Sequence, residues 1–169
     1  MRLIICDSKR WVDLNSNLSK EHDIKFINKR DDLTSNFLET FKPDYIFFAH
    51  WNWLVEENIY QNYKCIVFHT SPLPYGRGGS PIQNLILNGF KTTPICAIKM
   101  VGELDAGPIY SKREISLDGS LEQIFIRINI SINEIIFDII NKSIEPQEQV
   151  GKVYKFKRLK DEDNKIPAD

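Results

Sequence analysis

Short apolar runs of strand type alternate along the chain with stretches of helical spacing. Arg2 to Cys6 is almost continuously apolar, as a strand covered on both faces is. Trp11 to Glu21 predicts a short helix, and Asp23 to Ile27 a second strand. Asp31 stands where it can cap a helix whose apolar face is Leu33, Phe37, Leu38 and Phe41, with Pro43 as its stop. Tyr45 to Ala49 and Cys65 to Phe68 predict the third and fourth strands. Ser80-Pro81 opens a helix with a capping hydroxyl followed by proline at the first helical position. Ile82, Leu85 and Ile86 make its apolar stripe, and Gly89 ends it. Pro94 to Met100 and Pro108 to Ile115 predict the fifth and sixth strands. Ser120 with Gln123 forms a capping box, and the helix that follows puts Ile124, Ile128, Ile132, Ile135 and Ile139 on one face.

This order implies an α/β fold: one domain over residues 1–169, with a Rossmann-like, mainly parallel sheet and helices on both faces. Ligands of such sheets bind at the carboxyl ends of the strands. Three segments are expected there: His50 to Leu54, His69 to Gly79 and Val101 to Gly107. The charged tail from Lys155 onward is expected to be a solvated strand and frayed end.

Composition narrows the function by exclusion. Lysine and arginine number 22 against 23 acidic residues, a formal net charge of -1. Such a balance advertises no basic face for nucleic acid or anionic lipid. Cys6, Cys65 and Cys96 are odd in number and form no CxxC pair, so they predict buried strand thiols and neither disulfides nor a metal site. No run reaches the roughly 20 apolar residues of a membrane span. Met1 to Asp7 lacks the features of a signal peptide, so a cytoplasmic location is expected.

The candidate chemistry lies in two loops. In His69-Thr-Ser-Pro-Leu-Pro-Tyr-Gly-Arg-Gly-Gly-Ser-Pro81 a strand ends at a histidine and prolines stiffen the chain. Glycines then allow close approach to a ligand, and a helix opens. In Val101-Gly-Glu-Leu-Asp-Ala-Gly-Pro108 an aspartate sits among small residues after a strand. Asp105 beside His69 would favour the imidazolium and fix its orientation.

At these residues the chain resembles the formyltransferases that use 10-formyltetrahydrofolate. His69-Thr70-Ser71-Pro72-Leu73-Pro74, Arg77-Gly78 and Pro81-Ile82-Gln83 are similar to one family signature, and Leu104-Asp105-Ala106-Gly107-Pro108-Ile109 to the second. The family includes enzymes acting on methionyl-tRNA, on glycinamide ribonucleotide and on amino sugars. The resemblance implies that the loop with Trp51, Trp53 and Leu54 holds the folate's pterin end, and the folate is expected in the cleft which that loop borders with Val101, Gly102 and Leu104. Thr70, Ser71, Arg77, Gly78 and Gly79 would face a small amine acceptor. His69 would stabilise the oxygen of the reacting carbonyl, with Asp105 keeping it charged. One position departs: Val67 stands where the family has an asparagine that helps hold the formyl oxygen. His50 and Asn52 are the candidate replacements, with His50 or Asn52 expected within about one water of His69.

The acceptor is expected to be an amino sugar. Cys6-Asp7-Ser8-Lys9-Arg10 lacks the glycine-rich phosphate loop of the ribonucleotide enzymes, and the chain ends soon after its sixth strand, where the tRNA enzymes carry a second domain. A homodimer is left open. Two rivals remain: a hydrolase that releases formate, and a folate-binding protein without turnover.

Overall fold

The computed structural model describes residues 1–14, 16–160 and 163, with the backbone alone at positions 16 and 17. Six strands build the main sheet: β1 (Arg2–Cys6), β2 (Asp23–Ile27), β3 (Tyr45–Phe48), β4 (Cys65–His69), β6 (Thr92–Lys99) and β7 (Ile109–Ser116). Their order is β2-β1-β3-β4-β6-β7. The first four are parallel, whereas β6 runs antiparallel to both β4 and β7. The sheet is therefore mixed and mostly parallel. A second, two-stranded sheet pairs β5 (Tyr75–Gly78) with β8 (Tyr154–Phe156).

Alternation along β1 explains its unbroken apolar run. Leu3 and Ile5 enter a core under α5 (Leu121–Asn141), while Ile4 and Cys6 enter a separate core on the other face. That second core includes Leu38 of α2 (Ser35–Phe41) and Ile59 of α3 (Glu57–Asn62). The capping box at Ser120 forms as expected, and Ile124, Ile128, Ile132, Ile135 and Ile139 are all buried. Ile135 is 0% exposed. Ile135→Ala should cost about 2–5 kcal/mol, the usual range for such truncations, measured as a lowered denaturation midpoint. Cys6, Cys65 and Cys96 are free and buried in strands, and burial pushes the Cys65 thiol up to about 12 and the Cys96 thiol to about 11.

Several local expectations change. The first helix, α1, covers only Ser16–Glu21, because the Asp7 carboxylate draws the amides of Trp11 and Val12 into a loop. Thr34, not Asp31, caps α2, accepting from the Phe37 amide at 3.2 Å, and residues 30–32 form a separate 3-10 turn. Ser80 precedes α4 (Pro81–Leu87) in a left-handed conformation and does not cap it. Its hydroxyl instead accepts from the Leu159 amide at 3.1 Å. Ile82 and Leu85 are buried in α4, but Ile86 is 45% exposed and leaves the stripe. No described helix is long and apolar enough to cross a membrane.

Candidate active site

The antiparallel direction of β6 changes how the two signature loops meet. Lys99, at its end, lies opposite Ile66, near the start of β4, whereas His69 at the end of β4 lies opposite Cys96. The two loops therefore do not leave the same end of the sheet. Residues 100–108 must double back to reach His69. They do so: Asp105 Oδ2 lies 3.5 Å from His69 Nδ1, and both side chains are buried.

Strand β5 holds this pair from the other side. His69 Nε2 lies 2.7 Å from the Gly76 carbonyl, and the Gly78 amide donates to Asp105 Oδ2 at 2.9 Å. Donation of Nε2–H to Gly76 fixes the ring and leaves Nδ1 as the nitrogen turned to the carboxylate. Gly76 has φ +86°, and a Cβ there would stand 2.6 Å from the Phe156 ring. A Cβ on Gly78, at φ +104°, would stand 2.6 Å from the Phe156 carbonyl. The glycines of the first signature let β5 lie against β8, and β5 in turn grips His69 and Asp105. The tail expected to be solvated thus contributes a buried strand residue, Phe156.

His69 stands on a wall shared by two cavities. The larger, about 790 Å³, is lined by Trp51, Trp53, Leu54, Val101, Gly102 and Leu104, as expected, and also by Asp105 and Tyr60. The smaller, about 240 Å³, is lined by Lys9, His50, Asn52, Thr70, Gln83 and Phe125 among others. Phe48, Trp51, Val67, Phe68 and His69 border both. Trp51 and Trp53 meet edge to face at 4.8 Å, forming an aromatic corner in the larger cavity.

Part of the expected acceptor set lies elsewhere. Thr70 borders the smaller cavity, but Arg77, Gly78 and Gly79 border the larger, because β5 folds back along β8. Ser71 is 0% exposed and borders neither. The Arg77 guanidinium is taken by Gln149 Oε1, at 3.1 Å from Nε and 2.9 Å from Nη2, and by Glu103 at 3.4 Å. Gln149 was not legible as a site residue, since it lies in a polar stretch that matches no signature.

His50 and Asn52 share the smaller cavity with His69. The His50 ring packs on Trp11 at 5.1 Å and Phe125 at 5.6 Å, and its Nε2 lies 3.5 Å from Asn129 Oδ1. Burial holds its pKa below the ordinary 6.5, with Asp7 and Asn129 pulling the other way. The unfolded chain then takes up this proton first, so stability falls as pH drops from about 6.5 toward the lowered folded value. His50→Gln should flatten that acid-side loss, read as the urea midpoint at several pH values.

The loop after β1 is closed to anions. Asp7 accepts from the amides of Lys9 (2.9 Å), Trp11 (2.6 Å) and Val12 (2.7 Å), so a carboxylate of the chain occupies the place a phosphate would take.

The sequence pattern of the formyl transferase family matches residues 3–130. The chain belongs to that family. Methionyl-tRNA formyltransferase of Campylobacter lari is 33% identical over 96% of this chain and 54% of its own length. The Thermotoga maritima enzyme of that name is 34% identical over 78% of this chain and 46% of its own. This family member thus spans about half the length of the curated relatives it matches. Among solved structures, methionyl-tRNA formyltransferase from Clostridium thermocellum superposes with a TM-score of 0.91 at 39% identity, covering 100% of this chain and 77% of that one. The formyltransferase PseJ from Anoxybacillus kamchatkensis, solved with a UDP-linked formamido sugar and tetrahydrofolate, gives 0.70 at 17% identity over 92% of this chain and 85% of its own. At that identity it shares the fold alone. Gln149 and β8 lie beyond the matched residues.

Proposed function

We propose that the chain transfers a formyl group from 10-formyltetrahydrofolate to a primary amine. The observation that carries this reading is the His69–Asp105 pair on the wall between two cavities of unequal size. The donor's flat ring system fits the larger one, between the tryptophan corner and the Val101–Leu104 segment. The donor supplies an activated one-carbon unit, and the chain's own residues position and stabilise. His69, anchored through Nε2 at the Gly76 carbonyl, turns Nδ1 toward the developing oxygen charge, and the Asp105 carboxylate 3.5 Å away orients the ring. Fixed donors of this kind supply the largest single part of many rate enhancements. A side-chain nitrogen of His50 or Asn52 acts as the second donor in place of the family's asparagine, reaching across the smaller cavity through a water. Val67 contributes only an apolar wall.

The acceptor has two candidates. Relatives at 33–39% identity are methionyl-tRNA formyltransferases, which favours the α-amine of an aminoacyl ester. The amino sugar expected from the sequence has support only from distant fold neighbours. The closed loop after β1 disfavours a phosphate bound there, as glycinamide ribonucleotide would require. The deciding experiment offers 10-formyltetrahydrofolate with methionyl-tRNA, with a nucleotide-linked amino sugar, or with no amine, and follows tetrahydrofolate release. Formylated methionyl-tRNA is the expected product. Formylated sugar would reverse the choice of acceptor. Formate released without any amine would make the chain a hydrolase, and folate binding without turnover would defeat the transfer reading.

A further inference from the structure

We propose that Gln149 is a positioning residue that fixes the Asp105 loop for turnover; the proposal rests on the formyl-transfer reading above. Asp105 has φ +53°, a left-handed conformation that costs a side-chain-bearing residue about 1–2 kcal/mol. Such a conformation persists only where the surroundings over-determine it. The Gly78 amide holds its carboxylate at 2.9 Å, and Gln149 Nε2 holds its main chain, donating to the Asp105 carbonyl at 2.8 Å and the Gly107 carbonyl at 2.9 Å. The same amide's oxygen accepts twice from Arg77, one residue before Gly78. One side chain thus ties the loop that carries Asp105 to the strand that anchors it.

The chemistry of the position selects a primary amide. Two carbonyls need two N–H donors, and a guanidinium needs an acceptor. Lysine would donate but repel Arg77, and glutamate would serve Arg77 but turn acceptors on both carbonyls. The backbone nearby is anchored separately: Gln147 and Ile109 exchange amide bonds of 2.9 and 2.7 Å. Exchange of the 149 side chain therefore leaves that clamp in place.

The test uses the full chain and its Gln149→Glu and Gln149→Met variants, each close in volume to the parent. Two quantities are read: kcat at saturating folate and amine, and the amide resonance of Gly78, which reports the bond to Asp105. A merely stabilising side chain would leave both unchanged in the folded variant. The expected result is an upfield shift of the Gly78 proton with kcat lowered about 10–100-fold, the scale of a misplaced catalytic group. Sheet and α5 amides should stay at their parental positions. A Gly78 resonance that stays in place, or a parental kcat, overturns the proposal. A parent inactive with every amine overturns the transfer reading instead, and the Gly78 shift alone then decides the positioning.

Discussion

Replacing His69 by alanine will lower turnover about 10²–10³-fold, the loss usual for one donor to an oxyanion. The ring packs at the end of β4, and its Nε2 bond to the Gly76 carbonyl exists to hold it. Loss of that bond leaves a buried carbonyl short of a partner, a penalty of about 1–3 kcal/mol that the fold should survive. Asp105→Asn makes the complementary test. The asparagine oxygen can still accept from the Gly78 amide, now at 2.9 Å from the carboxylate, so the loop stays in place. The charge beside Nδ1 disappears, and turnover should fall sharply with the denaturation midpoint little changed. Single-turnover rates with whichever amine the formylation assay selects decide the matter. Near-parental turnover in either variant would remove that residue from the mechanism.

Much of this was legible in the sequence because it rests on periodicity. The isoleucine stripe of α5 and the unbroken run of β1 are local statements of what each face touches, and burial follows them. The two signatures also carried the identity of the pair, His69 and Asp105. What escaped was geometry set by tertiary contacts. Nothing in Pro94 to Met100 says that its strand runs against β4, since one strand's pattern is the same in either direction. Strand β5 is Tyr-Gly-Arg-Gly, a sequence with little intrinsic strand preference, and it is a strand only because β8 lies beside it. Strand β8 in turn sits in a charged stretch with a single buried residue, Phe156. Ser80 looked like a cap because the Ser-Pro pair has the local chemistry for one, yet the Leu159 amide takes its hydroxyl. Helix α3 buries only Ile59 and so leaves no stripe to read.

Gly107 explains the second signature's glycine, and Gly107→Ala should be the most destabilising single-methyl change in the site. A Cβ there would collide with the Lys99 carbonyl oxygen and stand 2.9 Å from its carbon. Both are backbone atoms, so no side-chain rotation relieves the clash. Lys99 cannot withdraw easily, because its amide is bonded to the Pro108 carbonyl at 2.8 Å at the β6–β7 turn. Gly107 cannot withdraw either without giving up the 2.9 Å bond from Gln149 to its carbonyl. The loop must therefore open, at a cost near 3 kcal/mol, about the upper end for forced overpacking. For a chain of this size that lowers Tm by roughly 6–12 °C. Opening moves Asp105, two residues away, off His69 and the Gly78 amide, so turnover of the folded fraction should fall together with stability. Gly102→Ala is the matched control in the same loop. Its Cβ would meet only the Tyr60 hydroxyl, at 3.4 Å, an ordinary contact. Thermal unfolding of the two variants side by side makes the test: equal Tm values would show that the doubling back of residues 100–108 does not depend on the missing side chain at 107.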